Sequence, residues 1–112
     1  MRKNENVMVQ PLRVGVAGLG TVGAALIAQV ARQREALAAR CGRPIEVVAV
    51  CARSRTKNRG VDLKAMKWFS DPIALAQSAD IDVFVELIGG AGDPAKSAIA
   101  AALGSGKSVV TA

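Results

Sequence analysis

The sequence of 112 residues contains no histidine and no tyrosine, and aromatic residues make up only 3% of it. Histidine is the commonest general base and a frequent metal ligand, so its absence removes most acid–base and metal-dependent mechanisms from this chain alone. No stretch of the sequence resembles the apolar segment of a signal peptide or approaches the roughly 18 apolar residues of a membrane span. We therefore expect a soluble cytoplasmic protein with an aliphatic core and no membrane partner.

Cysteine is scarce as well, and the two thiols are not placed to act together. Cys41 and Cys51 form no CxxC pair and have no histidine to complete a zinc site, so no metal site is predicted. If a strand connects them, they lie roughly 20 Å apart at about 3.3 Å per residue, beyond the reach of a disulfide. Two free thiols fit a reducing cytosol.

The positive charge of the chain is confined to one segment. The net charge of +6 by itself suggests nucleic acid or another anionic partner. Between Arg53 and Lys67, however, there are six cations and one acid, Asp62, while the other nine cations are nearly balanced by eight acids. Because the basic residues lack interleaved aromatic residues and lie in one predicted loop, a nucleic-acid partner is not expected.

Hydrophobic residues make up 51% of the chain, enough for one domain with a sizeable core. Residues 1–11 are polar and aperiodic and are predicted to be a flexible leader, and residues 12–112 are predicted to be the domain. Strands are predicted at Leu12–Ala17, Ile45–Ala52, Met66–Phe69, Ile81–Ile88 and Lys107–Thr111. Helices are predicted from the glycine-rich turn to Arg40, over Ile73–Ser78 and over Ala95–Leu103. This alternation indicates an α/β fold with a doubly wound parallel sheet.

A GxGxxG motif follows the first predicted strand directly and opens a long helix, with the sequence Gly18-Leu19-Gly20-Thr21-Val22-Gly23. This is the context that a Rossmann-type dinucleotide-binding turn requires. Gly18 is predicted to permit the tight turn, Gly20 to let the backbone approach a pyrophosphate, and Gly23 to let helix and strand pack closely. The amides from Leu19 to Val22 would bind the phosphates. The alternative is a tight turn without a ligand, and Thr21 would either cap the helix or contact a phosphate.

The end of the second predicted strand lacks the acid that usually binds the adenosine 2′-hydroxyl. Arg53, Ser54 and Arg55 stand there instead, and a guanidinium can bind a 2′-phosphate through two parallel hydrogen bonds. The sequence therefore predicts NADP(H), with NAD(H) as the alternative cofactor and a solvated basic loop as the alternative role. Gly89 and Gly90 follow the fourth predicted strand and are predicted to let the nicotinamide side of the cofactor approach; otherwise they form a flexible connection.

The remaining polar candidates have plain structural interpretations. Glu86, near the end of a predicted buried strand, is either a functional carboxylate or a buried and hydrogen-bonded one. Asp71 and Asp93 each precede a proline and are predicted to cap helices, and Trp68 is predicted to pack in the core. No catalytic residue is predicted.

Three segments resemble the amino-terminal part of homoserine dehydrogenase. They are VGVAGLGTVG at 14–23, IDVFVELIGG at 81–90 and GKSVVTA at 106–112, in this order and spacing. The resemblance implies reversible NAD(P)-linked oxidation of L-homoserine to L-aspartate 4-semialdehyde, in threonine and methionine biosynthesis, by a homo-oligomeric enzyme. It also implies that the GLGTVG amides bind the pyrophosphate, that Arg53 binds the 2′-phosphate and that Gly89 lies at the nicotinamide side.

In that family the VVTA strand leads into an Asn-Lys pair whose lysine lies at the active site, and a catalytic and dimerisation domain follows. The sequence ends at Ala112, so we expect a cofactor-binding part that catalyses nothing by itself. Two alternatives stay open. One is another dehydrogenase of small amino acids, similar to aspartate dehydrogenase, and the other is a non-enzymatic NAD(P)-sensing module.

Overall fold

A computed structural model of the chain describes residues 10–53, 60–90 and 92–112. Its elements, in chain order, are β1 (Leu12–Ala17), α1 (Thr21–Arg32), α2 (Arg34–Cys41), β2 (Ile45–Cys51), β3 (Lys67–Phe69), α3 (Pro72–Ala76), β4 (Val83–Glu86), α4 (Ala95–Gly104) and β5 (Ser108–Thr111). All paired strands are parallel, and the sheet order is β3-β2-β1-β4-β5. The predicted doubly wound sheet is confirmed, and the strand order reverses beside β1.

The sheet separates two aliphatic layers because side chains alternate between its faces. On one face, Ile27 of α1 packs with Val16 and Val50. On the other, α3 and α4 pack with Phe84, which is fully buried. Gly15 lies beneath α3, and a Cβ built there would come within 2.9 Å of the Leu75 side chain. The absence of a side chain at this position therefore lets α3 lie close to the sheet.

The predicted single helix up to Arg40 is wrong, because the chain forms two helices that meet at Gln33. The backbone of Gln33 leaves the helical region, with φ −103° and ψ 25°. The preceding helix packs on the sheet, whereas α2 buries none of its residues and is connected to the sheet by an ion pair of 3.5 Å between Arg34 and Glu46. The change of backbone conformation at Gln33 therefore lies where α1, which packs on the sheet, ends and where α2, which buries no residue, begins.

Each of the two Asp-Pro pairs stands at the start of a helix, as predicted. The Asp71 carboxylate accepts a hydrogen bond of 2.9 Å from the Ile73 amide and caps α3, whose first residue is Pro72, as predicted. At α4 the N-cap position is Pro94 rather than Asp93. The Asp93 carboxylate still accepts hydrogen bonds from the amide and hydroxyl of Ser97, so it satisfies donors of the first turn.

A bidentate ion pair joins β1 to the start of β4 at the amino-terminal edge of the sheet. The Arg13 side chain donates to both carboxylate oxygens of Asp82 at 3.0 and 3.2 Å, and the Arg13 amide donates to Asp82 at 2.9 Å. The hydrogen bonds from the Arg13 guanidinium and amide hold the pKa of Asp82 below its usual value. Asp82 therefore stabilises the fold in its charged form.

Asp82→Asn is expected to lower the free energy of unfolding at neutral pH. Because the pKa of Asp82 is lower in the folded than in the unfolded chain, its contribution is complete above the unfolded value of about 3.9 and is lost as the pH falls below it. Urea denaturation of both proteins between pH 7 and pH 3 measures this. The two unfolding curves should approach one another in acid, and a constant gap across this range would contradict the assignment.

Within the described ranges, no helix has the length and apolar composition needed to cross a membrane. The same ranges contain no group of three or more Asp, Glu, Cys or His side chains arranged to hold a metal ion.

Candidate dinucleotide site

The turn after β1 is fixed by backbone contacts with the two neighbouring strands. Gly18 has φ +103°, and its amide donates to the Cys51 carbonyl of β2 at 2.8 Å. On the other side, the Leu87 amide donates to Ala17 at 2.8 Å, and a Cβ on Gly18 would lie 2.7 Å from the Leu87 carbonyl group. Both the dihedral angle and the space therefore require glycine at this position.

The other two glycines of the motif differ sharply in their surroundings. A Cβ on Gly23 would lie 2.0 Å from the Gly18 carbonyl oxygen, so this glycine lets α1 start close against the turn. A Cβ on Gly20 would have no heavy atom within 4 Å, so Gly20 faces open space. These positions agree with the roles that the motif predicts, close packing at Gly23 and open backbone at Gly20.

The start of α1 presents an environment that suits an anion. Its N-cap residue, Gly20, offers no side-chain cap, and no acidic residue stands in the first turn. The first amides of a helix lack acceptors within the helix, and the helix dipole places partial positive charge there. Thr21 and Val22 are both exposed at this end, and Thr21 is the first helical residue, so the capping role considered for it does not apply to α1.

A cleft of about 450 Å³ opens at the carboxyl end of the sheet, beside this turn. Four of the predicted site residues line it: Gly18, Leu19, Gly20 and Arg53. The sequence did not predict as site residues the other described lining residues, which are Cys51, Ala52, Ser70, Pro72, Leu87, Ile88 and Pro94. Only their positions could have indicated them, because each lies at the carboxyl end of a strand or at the start of the helix that follows one.

The other predicted site residues that the structure describes do not line the cleft: Thr21, Val22, Gly23, Gly89 and Gly90. Gly23 packs behind the turn, while Gly89 and Gly90 are exposed just beyond Ile88, with φ of +89° and +83°. Ser54 and Arg55 fall outside the described residues. The structure thus brings Arg53 and the glycine-rich turn to one cleft.

Cys51 lies at the base of the cleft and is buried. Burial, assisted by the negative charge of Asp71, raises the pKa of its thiol to about 11. The thiol therefore stays protonated at neutral pH and acts as a small apolar group rather than a nucleophile.

The described cations of the basic segment have different surroundings. Arg53 lines the cleft, but Lys67 lies 3.7 Å from the Asp80 carboxylate and 5.1 Å from the centre of the Phe69 ring. Lys64 is exposed in the segment that precedes β3. Trp68 packs against the core layer under α1, as predicted.

Glu86 is the buried acid beside the cleft, with only 2% of its surface exposed. One carboxylate oxygen accepts hydrogen bonds from the amides of Ile88 at 2.7 Å and Gly89 at 3.0 Å, and the other accepts one from the Thr111 hydroxyl. Burial alone would raise the pKa of Glu86, but these three donors outweigh it and lower the pKa below its usual value. The structure thus shows a buried and hydrogen-bonded carboxylate at this position.

The cleft meets the requirements of a dinucleotide. Its volume is within the range of about 300–1,000 Å³ that ligand sites have, it adjoins an uncapped helix start, and an arginine stands at the end of β2. It also lies at the carboxyl ends of the strands where the sheet order reverses, which is where such folds bind ligands. Fold and site together define a Rossmann-type dinucleotide-binding domain.

Comparison with known proteins identifies the family. The family model of the homoserine dehydrogenase NAD-binding domain matches residues 18–112, and the chain therefore belongs to this family. Homoserine dehydrogenase of Neisseria gonorrhoeae is 39% identical over 104 residues, which are 93% of this chain and 23% of that protein. The chain thus spans about a quarter of the length of this relative. A nicotinamide dinucleotide is accordingly the cofactor of the domain.

Solved structures show the same likeness. A homoserine dehydrogenase from Thiobacillus denitrificans superposes with a TM-score of 0.81 and 35% identity, covering 91% of this chain and 23% of that one. Homoserine dehydrogenase of S. aureus gives a TM-score of 0.82 at 24% identity, covering 93% of this chain and 26% of that one, and supports the fold alone.

Proposed function

We propose that this chain is the cofactor-binding domain of an enzyme that interconverts L-homoserine and L-aspartate 4-semialdehyde in threonine and methionine biosynthesis. The observation that carries this proposal is the family match over residues 18–112, together with the cleft beside the glycine-rich turn. The cofactor supplies or accepts a hydride. The residues of this chain bind and orient it, with the open backbone at Gly20 and the first amides of α1 receiving the pyrophosphate.

The proposal divides the reaction between this domain and the rest of the relatives' chain. Reducing an aldehyde requires a proton for the oxygen that becomes the alcohol. The described residues that line the cleft include no Lys, Asp or Glu, and the one thiol among them, that of Cys51, is buried. We therefore assign the proton-transfer and substrate-binding groups to the part of the relatives that this chain does not span, along with their oligomer contacts. A reducing cytosol suits the free thiols of Cys41 and Cys51.

We further propose that the preferred cofactor is NADP(H). Arg53 is exposed after β2 and lines the cleft. We propose that its guanidinium binds the adenosine 2′-phosphate and that Ser54 and Arg55 assist it. The nearby acid Asp71, which follows β3, does not line the described cleft. Its carboxylate accepts a hydrogen bond from the Ile73 amide. Gly89 and Gly90 are proposed to flank the nicotinamide side.

Arg53→Ala is expected to weaken NADPH binding roughly tenfold or more while leaving NADH binding nearly unchanged, because only NADPH presents a phosphate to the guanidinium. Titration of the chain with each cofactor by calorimetry measures both affinities. Lys64→Ala removes the same charge from an exposed position away from the described cleft and should change neither affinity by more than about twofold. Equal affinity of the unaltered chain for NADPH and NADH would remove the role of Arg53.

A further inference from the structure

Glu86 connects two segments that flank the cleft on the side of β4. Its carboxylate accepts hydrogen bonds from the amides of Ile88 and Gly89, and therefore holds the segment that follows β4. The same carboxylate accepts from the Thr111 hydroxyl, and the Glu86 carbonyl accepts from the Ala112 amide at 3.3 Å, which ties down the end of β5. One buried residue thus fixes the exits of two neighbouring strands.

The segment held by Glu86 begins in the cleft and continues to its rim. Ile88 lines the cleft, and Gly89 and Gly90 follow it with positive φ. Glycine is the residue with the most backbone freedom, so two in succession need an external contact to keep one conformation. The contact available to the Gly89 amide is the Glu86 carboxylate, which burial keeps in place.

The segment after β4 and Arg53 after β2 lie on opposite sides of β1. A doubly wound sheet binds the two halves of a dinucleotide on either side of the point where the strand order reverses. In this sheet β2 and β4 lie on opposite sides of β1. With Arg53 after β2 at the adenosine phosphate, the segment after β4 lies at the nicotinamide half.

We infer that Glu86 is a positioning residue for the nicotinamide half of the cofactor, acting through the Ile88–Gly89 backbone that it holds. The inference rests on the proposed function, since it assumes that the cleft binds a nicotinamide dinucleotide. A residue that only stabilised the domain would affect every ligand of the cleft equally. Glu86 affects the nicotinamide half selectively.

The test compares a whole cofactor with its adenosine half. Glu86→Ala is expected to weaken NADPH binding roughly tenfold, because the backbone amides lose a charged acceptor, and to leave the affinity for adenosine 2′,5′-bisphosphate within about twofold. Calorimetric titration of the full chain with both ligands gives the two ratios. Hydrogen exchange in the ligand-free protein should also become faster at the Ile88 and Gly89 amides.

Two further variants keep the test decisive. Glu86→Gln retains an oxygen that accepts from the two amides, and its NH₂ group can donate to the Thr111 hydroxyl. This variant should therefore keep most of the NADPH affinity. It also serves as the test if the alanine variant does not fold. Asp82→Asn alters a second carboxylate of the β4 region, at the opposite edge of the sheet, and should change neither affinity by more than about twofold.

The possible failures are distinct. Suppose that the unaltered chain binds both ligands and that Glu86→Ala weakens the binding of both equally, or of neither. The positioning role is then wrong and the proposed function stands. If the unaltered chain binds neither ligand, the proposed function fails and the inference fails with it.

Discussion

Gly23→Ala is expected to destabilise the domain by about 3 kcal/mol and to abolish measurable cofactor binding. In a helix interior this substitution ordinarily stabilises by about 1 kcal/mol, because alanine has the higher helix propensity. Here the new Cβ would lie 2.0 Å from the Gly18 carbonyl oxygen, so the start of α1 must move away from the turn. Forcing extra atoms into a packed site costs typically 1–3 kcal/mol and more against a rigid backbone, so steric overlap decides the sign.

Urea denaturation followed by circular dichroism measures the first effect, and NADPH titration measures the second. Gly20→Ala is the matched control, since its Cβ has no heavy atom within 4 Å. That variant should unfold like the unaltered chain while binding NADPH more weakly, because the methyl group occupies the space into which the pyrophosphate is proposed to fit. A Gly23→Ala protein as stable as the unaltered one would show that the helix does not pack as described.

Phe84→Ala is expected to lower the free energy of unfolding by about 3–5 kcal/mol, the usual cost of truncating a buried Phe. Phe84 has no exposed surface and lies in the layer that α3 and α4 form with the sheet. The side chains of the same cluster include those of Ala98 and Ala102, which are too small to fill the cavity. Domains have total stabilities of about 5–15 kcal/mol, so this loss is a large fraction.

Chemical denaturation at constant pH tests this second prediction. Leu103→Ala provides the control, because Leu103 is a large aliphatic residue of α4 with 60% of its surface exposed. Its truncation should change the free energy of unfolding by less than about 0.5 kcal/mol, since little buried area is lost and alanine suits a helix. Similar losses in the two variants would mean that Phe84 is not the centre of this layer.

The sheet was predictable because its central strands are nearly continuous apolar runs. Runs such as Val47-Val48 in β2 and Val83-Phe84-Val85 in β4 are apolar on both faces, which is typical of a parallel sheet covered by helices on both sides. The strand ends were less predictable: β4 was expected from Ile81 to Ile88 but pairs only over Val83–Glu86. Ile81 is buried and apolar without belonging to the strand, and hydrophobicity alone does not separate these two states.

The break at Gln33 could not be read from the sequence. Neither glycine nor proline marks it, and residues 32–40 are good helix formers on both sides of the break. What distinguishes the helices is their tertiary packing, because α1 buries Gly23 and Ile27 whereas α2 buries none of its residues. Local propensity carries no information about that difference.

The geometry of the glycine-rich turn was predictable because a backbone rule determines it, whereas the hydrogen bonds around Glu86 were not. Gly18, Gly20 and Gly23 follow from the geometry of a strand–turn–helix unit, and their surroundings differ as the motif requires. The hydrogen bonds of Glu86 join residues 86, 88, 89 and 111, a set that no spacing rule connects. The cofactor-binding roles of the glycine-rich turn and of Arg53, Ser54, Arg55, Gly89 and Gly90 remain predictions.

The pairing of β1 with β4 brings together residues 69 positions apart, as in Arg13 and Asp82. Closing so long a loop costs more chain entropy than forming the neighbouring β1–α1–β2 unit. The cleft takes one wall from each part, with Arg53 after β2 and Ile88 after β4. A ligand that contacts both walls therefore binds only the completed sheet and stabilises it by mass action. A dinucleotide bound across both walls would thereby offset part of the entropy cost of pairing β1 with β4.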